Sequence, residues 1–149
     1  IAKEVVENLW QCRLFVSQYV VRLFILKVHD KIGNLSHFLI FEITKYGIGI
    51  CEFVILEGIL KSRRYGNMLK ELIHHFDGNA YTYYFDLSLE ETIRRHNTRE
   101  KRIEFGEDSL RKWYNPHDTI IVNRETVFTD AFTQKDIFHA ILNDVAIRK

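Results

Sequence analysis

Apolar residues along the chain follow two patterns: short continuous runs, and stripes at helical spacing. Cys51–Leu56 is one such run, which holds Phe53, Val54, Ile55 and Leu56 and predicts a strand covered on both faces. Within Lys61–Phe76 the apolar residues recur three and four positions apart, which predicts an amphipathic helix. The remaining predicted elements, in chain order, are helices over Ile1–Leu9, Val20–Val28 and Leu35–Tyr46, strands over Leu14–Ser17 and Ala80–Phe85, helices from Ser88 and near Glu107–Tyr114, short strands over Thr119–Val122 and Thr126–Thr129, and a helix over Asp136–Val145.

Strands and helical patterns therefore alternate along the chain. Such alternation is typical of βαβ units, so we predict an α/β fold with a parallel sheet and helices on both faces. The sequence has no repeats, low-complexity tracts or proline-rich linkers, and residues 1–149 are predicted to form a single domain. Ligands of parallel sheets bind beyond the carboxyl ends of the strands. This rule nominates residues 17–19, 57–58 and 86–88 as candidate ligand-binding segments.

Composition and charge narrow the class of protein. The chain has 149 residues, of which 46% are hydrophobic and 28% charged, as in ordinary globular domains. A formal net charge of +1 gives no global attraction for nucleic acid, and no segment reaches the roughly 20 apolar residues that span a bilayer. We therefore predict a cytoplasmic domain that binds neither nucleic acid nor membrane. Cys12 and Cys51 fit no metal or disulfide spacing and are predicted to be free, buried thiols.

Two helix starts carry capping signals, and one lacks them. Ser88 followed by Glu91 has the sequence of a capping box, and Thr133 is placed to cap the final helix. By contrast, Ile1 begins a helical pattern with no capping residue ahead of it. We expect from this that a further segment precedes Ile1 in the natural protein.

Glu57 is the first candidate for chemistry, because it directly follows the most apolar predicted strand and is followed by Gly58. A carboxylate at this position can orient the water shell of Mg²⁺, or bind and deprotonate an acceptor hydroxyl. The alternative is a solvated acid that caps the next helix and is stabilised by its dipole. Its position at the end of a strand favours the functional interpretation.

The second candidate is a basic cluster over residues 94–102, with four arginines and a lysine in nine positions. Guanidinium groups bind phosphate bidentately and keep their charge, so this cluster could hold a phosphoryl group. Arg95 and Arg99 are four apart and share one helix face. The alternative is a solvated helix end, in which Glu91 and Arg95 form an ordinary pair one turn apart.

Other polar residues have stronger structural explanations. Asp86 ends a predicted strand, and it either takes part in chemistry or brackets the turn before Ser88. His74 and His75 are adjacent on a helix, point in different directions and make poor joint metal ligands. The basic segment Lys61–Arg64 is more typical of a solvated first helical turn than of a nucleotide contact.

Several segments resemble one family. Val54–Leu60, which contains Glu57-Gly58-Ile59-Leu60, resembles the strand-to-loop segment of uridine-kinase-like P-loop kinases, where a strand ends in Glu-Gly-Ile-Leu. Tyr83–Arg95 resembles the strand, the turn beginning with Asp and the helix that lead into the arginine-bearing lid of these kinases. Glu104-Phe105-Gly106 and Leu110–Asp118 resemble the return from the lid in a bacterial group of them. The resemblance runs over nearly the whole chain, and the order of the segments is more specific than any one of them.

The resemblance implies a three-layer P-loop NTPase-like sheet and an ATP-dependent phosphotransferase that requires Mg²⁺ and acts on a small hydroxyl-bearing molecule such as a nucleoside. Glu57 would orient Mg²⁺ through water or bind the acceptor hydroxyl. Arg95 and Arg99 would neutralise charge on the transferred phosphoryl group. Arg94 and Arg102 would support them in a lid near residues 94–116. The implied partners are a nucleotide and a small-molecule acceptor.

The sequence departs from the family pattern in two places. The family's G-x-x-x-x-G-K-[ST] loop and the central strand that carries it are missing from this chain, and Tyr19 stands where relatives usually carry an acid. Losing the central strand would expose strand edges and allow self-association. Both departures leave alternatives open: a non-catalytic remnant or binding domain that keeps the fold, or a toxin-type kinase of a sugar-nucleotide. A chain without the phosphate loop is expected to be inactive by itself.

Overall fold

A computed structural model describes residues 1–8, 12–98 and 106–146. In these ranges the fold is mixed α/β. The helices and strands, in chain order, are α1 (Ala2–Asn8), β1 (Arg13–Ser17), α2 (Gln18–Val20), a π-helix (Val21–Ile25), α3 (Ser36–Tyr46), β2 (Phe53–Glu57), α4 (Ser62–His75), β3 (Thr82–Phe85), α5 (Leu89–Asn97), α6 (Glu107–Trp113), β4 (Glu125–Phe128) and α7 (Gln134–Ala146).

The strands form two parallel pairs, which confirms the predicted parallel α/β class. β1 pairs with β2, so that Arg13 lies opposite Phe53 and Ser17 opposite Glu57. β3 pairs with β4 over the whole length of both strands. The chain divides into two compact units: Ile1–Ala80 with the chain from Phe138 onward, and Tyr81–Ile137. The first contains the β1–β2 pair and the second the β3–β4 pair.

In the first unit the core lies where β1 meets the helices that follow each strand. Val16, Val21, Ile40 and Tyr65 are buried together, and each comes from a different element: β1, the π-helix, α3 and α4. The side chain of Tyr65 is fully buried. This is the covering expected of an apolar strand in a parallel pair, since crossover helices lie on its face.

In the second unit aromatic side chains gather around Phe128 of β4, whose exposure is 1%. Its ring lies 5.9 Å from that of Tyr83, 5.7 Å from that of Phe85 and 5.3 Å from that of Phe132. Such aromatic contacts suit strands, where broad side chains pack across a pleated surface. Tyr83 and Phe85 of the predicted strand Ala80–Phe85 therefore take part in sheet packing.

Two predicted elements differ from the structure. Instead of one helix over Val20–Val28, the chain makes a short α-turn and a π-helix that ends at Ile25, where the Leu26 N–H donates to the Val21 carbonyl. The prediction of a strand over Thr119–Val122 is wrong. Ile121 has a left-handed φ of 53° and is 84% exposed. The carboxylate of Glu125 accepts the backbone N–H groups of Ile120 and Ile121, which holds this segment as a loop.

The caps are confirmed in part. Ser88 Oγ accepts the N–H of Glu91 at 3.1 Å, and Thr133 Oγ1 accepts the N–H of Asp136 at 3.2 Å. The reciprocal half of the capping box is missing, because the Ser88 N–H donates to Asp130 Oδ1. No helix in the described ranges is both long and apolar enough to cross a membrane.

Candidate functional site

The carboxyl ends of β1 and β2 bring two of the three nominated segments side by side. Ser17 and Glu57 are register partners at the last position of each strand. Ser17 and Gln18 are buried, with 8% and 3% exposure, whereas Glu57 is half-buried. Since ligands of parallel sheets bind at this edge, the pair defines the candidate site of the first unit.

Gly58 continues this edge and requires a backbone that only glycine adopts readily. Its φ is +149°, and a Cβ placed on it would lie 2.5 Å from the Cβ of Gln18. No larger residue fits without moving Gln18, because real side chains do not approach so closely. The glycine thus lets the chain after Glu57 pass directly over the residue that follows β1.

Below this edge lies a chain of hydrogen bonds that links three segments. Gln18 Nε2 donates to Tyr65 Oη at 3.1 Å, and Tyr65 Oη donates to Asp30 Oδ1 at 3.0 Å. Arg64 forms an ion pair with Asp30 Oδ2, and its Nη1 also donates to the Asp30 carbonyl at 2.9 Å. We call these four residues the Asp30 network. It fastens the first turn of α4 and the loop around Asp30 to the end of β1.

His37 of α3 lies against this network. Its ring centroid is 4.1 Å from that of Tyr65. Burial is the main cause that lowers the pKa of His37 below its usual range; the charge of Arg64 lowers it further and that of Asp30 opposes both. Within the described residues its Nε2 is buried and has no hydrogen-bond partner. A neutral imidazole is therefore the favoured form beside the Asp30 network.

Glu57 differs from the charged groups of the Asp30 network. In the ranges that the structure describes, its carboxylate makes no hydrogen bond or ion pair, whereas Asp30 and Arg64 neutralise each other. A half-buried carboxylate without a protein partner is able to accept a hydrogen bond from a ligand hydroxyl or from a metal-bound water. The arrangement can thus bind and orient a polar ligand at the carboxyl edge of β1 and β2.

The predicted arginine site in the second unit is arranged differently. Arg95 Nε donates to Glu91 Oε1 at 2.6 Å, and its Nη2 donates to the Phe132 carbonyl at 2.8 Å. Arg94 makes two further bonds of 2.6 Å to the same carboxylate. Arg94, followed by Arg95, holds the pKa of Glu91 down at about 2, and Glu91 in turn raises the pKa of Arg94.

The pairing of Glu91 with Arg95, considered as the structural alternative from the sequence, is therefore present. Both arginines direct donors at a protein carboxylate, and their role toward a phosphoryl group stays a prediction. Arg99 and Arg102, the other two arginines of that prediction, lie outside the described residues. Residues 99–105 of the predicted lid near residues 94–116 lie outside them, whereas residues 94–98 and 106–116 are described.

Asp86 fixes the loop around His117 at the carboxyl end of β3. Its Oδ1 accepts the His117 N–H at 2.8 Å, and its Oδ2 is 2.5 Å from His117 Nδ1. The backbone bond is the main cause that lowers the pKa of Asp86, and the bond from the imidazole adds to it. The imidazole itself is exposed. These contacts give Asp86 a structural role at the His117 loop, whereas at the turn before Ser88 it is Asp130 that accepts the Ser88 N–H.

Only part of a kinase site fits these residues. One carboxylate, Glu57, suits a water-mediated contact to Mg²⁺, but the described ranges hold no group of three or more histidine, cysteine, aspartate or glutamate side chains that could bind a metal. The donors that would surround ATP phosphates are also absent from the described site: Arg94 and Arg95 are bound to Glu91. Tyr19, in the position where an acid was expected, packs its ring 5.8 Å from that of Phe24.

Sequence reasoning missed the Asp30 network. Tyr65 belongs to the predicted amphipathic helix Lys61–Phe76, Arg64 to its solvated first turn, and Asp30 to none of the predicted elements. The sequence does contain one indication of it, the Arg64-Tyr65 pair at the start of a helix. When a tyrosine ring is buried, its hydroxyl needs a hydrogen-bond partner. No sequence spacing points to Asp30, because 34 positions separate it from Arg64.

The chain matches no protein-family model, no curated protein and no solved structure. The resemblance to P-loop kinases therefore stays an expectation from the sequence.

Proposed function

We propose that this chain is the acceptor-binding part of an ATP-dependent phosphotransferase of the P-loop kinase type, acting on a small hydroxyl-bearing molecule such as a nucleoside. The observation that carries the proposal is Glu57: a half-buried carboxylate at the carboxyl end of β2, in register with Ser17 and without a partner in the described residues. A charge at this edge of a parallel pair is typical of ligand contact.

In this proposal each part of the site has one task. Glu57 accepts the hydrogen bond of the acceptor hydroxyl and holds its proton as the oxygen becomes a nucleophile. The Asp30 network keeps the neighbouring backbone rigid, so that the carboxylate is held in place. ATP with Mg²⁺ would supply the phosphoryl group, and its phosphates would need donors beyond those described here.

We further propose that the mixed α/β fold is built on a three-layer sheet of the P-loop type. Each of the two parallel pairs in the described ranges, β1–β2 and β3–β4, has the strand direction that such a sheet requires. Crossover connections through α3, and through α5 and α6, also suit that architecture. Self-association through the strand edges belongs to the same proposal.

The test is a transfer assay with radiolabelled ATP and a panel of ribonucleosides, using the protein as its gene encodes it. We expect Glu57→Gln to lower kcat on the order of 100-fold, since a general base of this kind contributes about that much. Glu52→Gln is the matched control, because Glu52 is an exposed acid at the amino end of the same strand. Equal turnover in both variants would contradict the role of Glu57.

A second candidate is a binding domain without catalysis, and Tyr19 favours it. A phenol packed on Phe24 supplies neither a metal ligand nor a base where the family has an acid. This candidate predicts that a nucleoside binds and that no radiolabel is transferred from ATP, even in the protein with its complete natural sequence.

A further inference from the structure

The two cysteines of the chain meet at the amino ends of β1 and β2, opposite to the candidate site. Cys12 precedes β1 directly and Cys51 lies two residues before β2. Their Sγ atoms are 3.0 Å apart, although 39 positions separate them in sequence. The prediction of buried thiols is therefore wrong: Cys12 is exposed and Cys51 is partly exposed.

Backbone hydrogen bonds hold both cysteines in this position. The Cys12 carbonyl accepts the N–H groups of Glu52 at 2.9 Å and Phe53 at 3.4 Å, which extends the β1–β2 pairing past the strand ends. The Cys51 N–H donates to the Gly47 carbonyl at 3.0 Å. The thiols thus face each other across neighbouring parallel segments, which are about 4.8 Å apart in such pairs. The backbone can stay in place, because rotation of the two side chains is all that is needed to bring the sulfurs to the bonding distance of about 2.05 Å.

We propose that Cys12 and Cys51 form a redox-active dithiol, which low-molecular-weight disulfides such as oxidised glutathione convert to an intramolecular disulfide. The thiolate of Cys12, the exposed member, attacks one sulfur of the external disulfide and releases one thiol. The thiolate of Cys51 then attacks the Cys12 sulfur and releases the second. Two protein thiols are oxidised and one external disulfide is reduced to two thiols, so that atoms and electrons balance.

The order of attack follows from accessibility and charge. An external disulfide reaches the exposed Cys12 first. The hydrogen bond between the thiols, then burial and the charge of Cys12, raises the pKa of Cys51 above its ordinary value, so that Cys51 keeps its proton longer. A thiol of this kind suits the second, resolving step, in which its partner is already within contact distance.

Oxidation would tie the amino ends of β1 and β2 together and leave their carboxyl ends unchanged. A disulfide between Cys12 and Cys51 would close a loop that spans 39 positions and would restrict the unfolded chain. In a domain of this size we expect this restriction to raise Tm by about 10 °C. The bond would therefore act as a reversible clamp on the first unit. The proposal does not depend on the activity proposed for Glu57.

The test is to incubate the reduced chain with graded ratios of oxidised to reduced glutathione, alkylate the remaining thiols and measure intact mass. We expect both thiols to disappear together, with a mass lower by two hydrogen atoms, and a higher Tm in the oxidised form. The chain has only two cysteines, so an intramolecular disulfide has one possible assignment.

Cys12→Ser and Cys51→Ser are the matched controls, since serine preserves the size of either side chain. The Cys51→Ser variant should stop at the mixed disulfide of Cys12 with glutathione and keep the Tm of the reduced chain. The proposal is overturned if the unmodified chain accumulates glutathione adducts or disulfide-linked dimers, or keeps both thiols at ratios that oxidise ordinary protein dithiols.

Discussion

Charged residues lie at the carboxyl ends of both β2 and β3, but the two ends differ in how far neighbouring side chains neutralise these charges. After β3, Asp86 binds His117, and in the helix that follows Arg94 and Arg95 share the carboxylate of Glu91. At the end of β2, Glu57 has no partner among the described residues, while Asp30 and Arg64 beneath it neutralise each other. A cluster of arginines is therefore a weaker indication of a site than one unpaired acid on a well-supported edge.

The two regions also differ in what holds their charged side chains in place. At Glu57 the surroundings are fixed by the buried residues Gln18 and Tyr65, and by the close approach of the backbone at Gly58 to Gln18. At Arg94 the contacts are exposed and worth little for stability, because water competes for both partners. Substitutions should consequently have larger effects in the first unit than in the second.

The largest effect is expected from Gly58→Ala. The new methyl group would meet Gln18 at 2.5 Å on a backbone with φ of +149°, so we expect a loss of about 3 kcal/mol in the free energy of unfolding. Gly49→Ala is the control: φ is +73° there but nothing lies within 4 Å of the added carbon, and about 1 kcal/mol should be lost. Urea denaturation measures both, and equal losses would show that the contact with Gln18 is unimportant.

The next effect concerns the Asp30 network. Tyr65→Phe removes the hydroxyl that links Gln18 to Asp30 and leaves a buried amide unsatisfied, which should cost about 2 kcal/mol. Tyr84→Phe removes a part-exposed hydroxyl in the second unit, where water can replace the bonds to Asn115 and Asp118, and should cost about 1 kcal/mol or less. Thermal or urea unfolding of both variants gives the comparison. The reverse order would contradict the importance of the network.

The smallest effect is electrostatic and depends on pH. Because the pKa of folded Glu91 is depressed to about 2 from its ordinary 4.5, its ionised form stabilises the fold above pH 4.5. That contribution is lost as the pH falls from 4.5 towards 2. Glu91→Gln should therefore flatten the fall of stability in this window, as measured by urea unfolding at a series of pH values. An unchanged acid profile would show that the pairs with Arg94 and Arg95 do not persist in solution.

The sequence predicted the individual strands β1 to β4 and the larger helices, because these depend on local patterns of apolar residues. The continuous apolar run of Phe53–Leu56 suits a strand, and its four side chains are half-buried in the structure. The stripe of Lys61–Phe76 defines one helix face. The π-helix at Val21–Ile25 and the loop at Ile121 could not be predicted. The first depends on a backbone bond from the Leu26 N–H that no side chain predicts. The second depends on the Glu125 carboxylate, which accepts the N–H groups of Ile120 and Ile121, and no sequence pattern predicts that contact.

Of the residues at the candidate site, only Glu57 could be predicted from the sequence. Glu57 follows its strand directly, so its position at the sheet edge follows from the pattern alone. The register that places Ser17 beside it, and the fold of the loop that brings Asp30 to Tyr65, depend on tertiary packing. For the same reason the contact between Cys12 and Cys51 was not predicted: it requires knowing which strands pair and in what register.

The most direct test of the account is the dissociation constant of a nucleoside, with uridine as the first probe, measured by isothermal titration on this chain and on two variants. The account predicts that Glu57→Gln weakens binding about 10-fold or more, since a hydrogen bond to a charged acceptor is worth about 1.5–3 kcal/mol. Glu52→Gln, at the opposite end of β2, should bind as the unmodified chain does. Equal affinity in all three proteins, or no binding of any ribonucleoside, would contradict the assignment of Glu57 as the acceptor-binding residue.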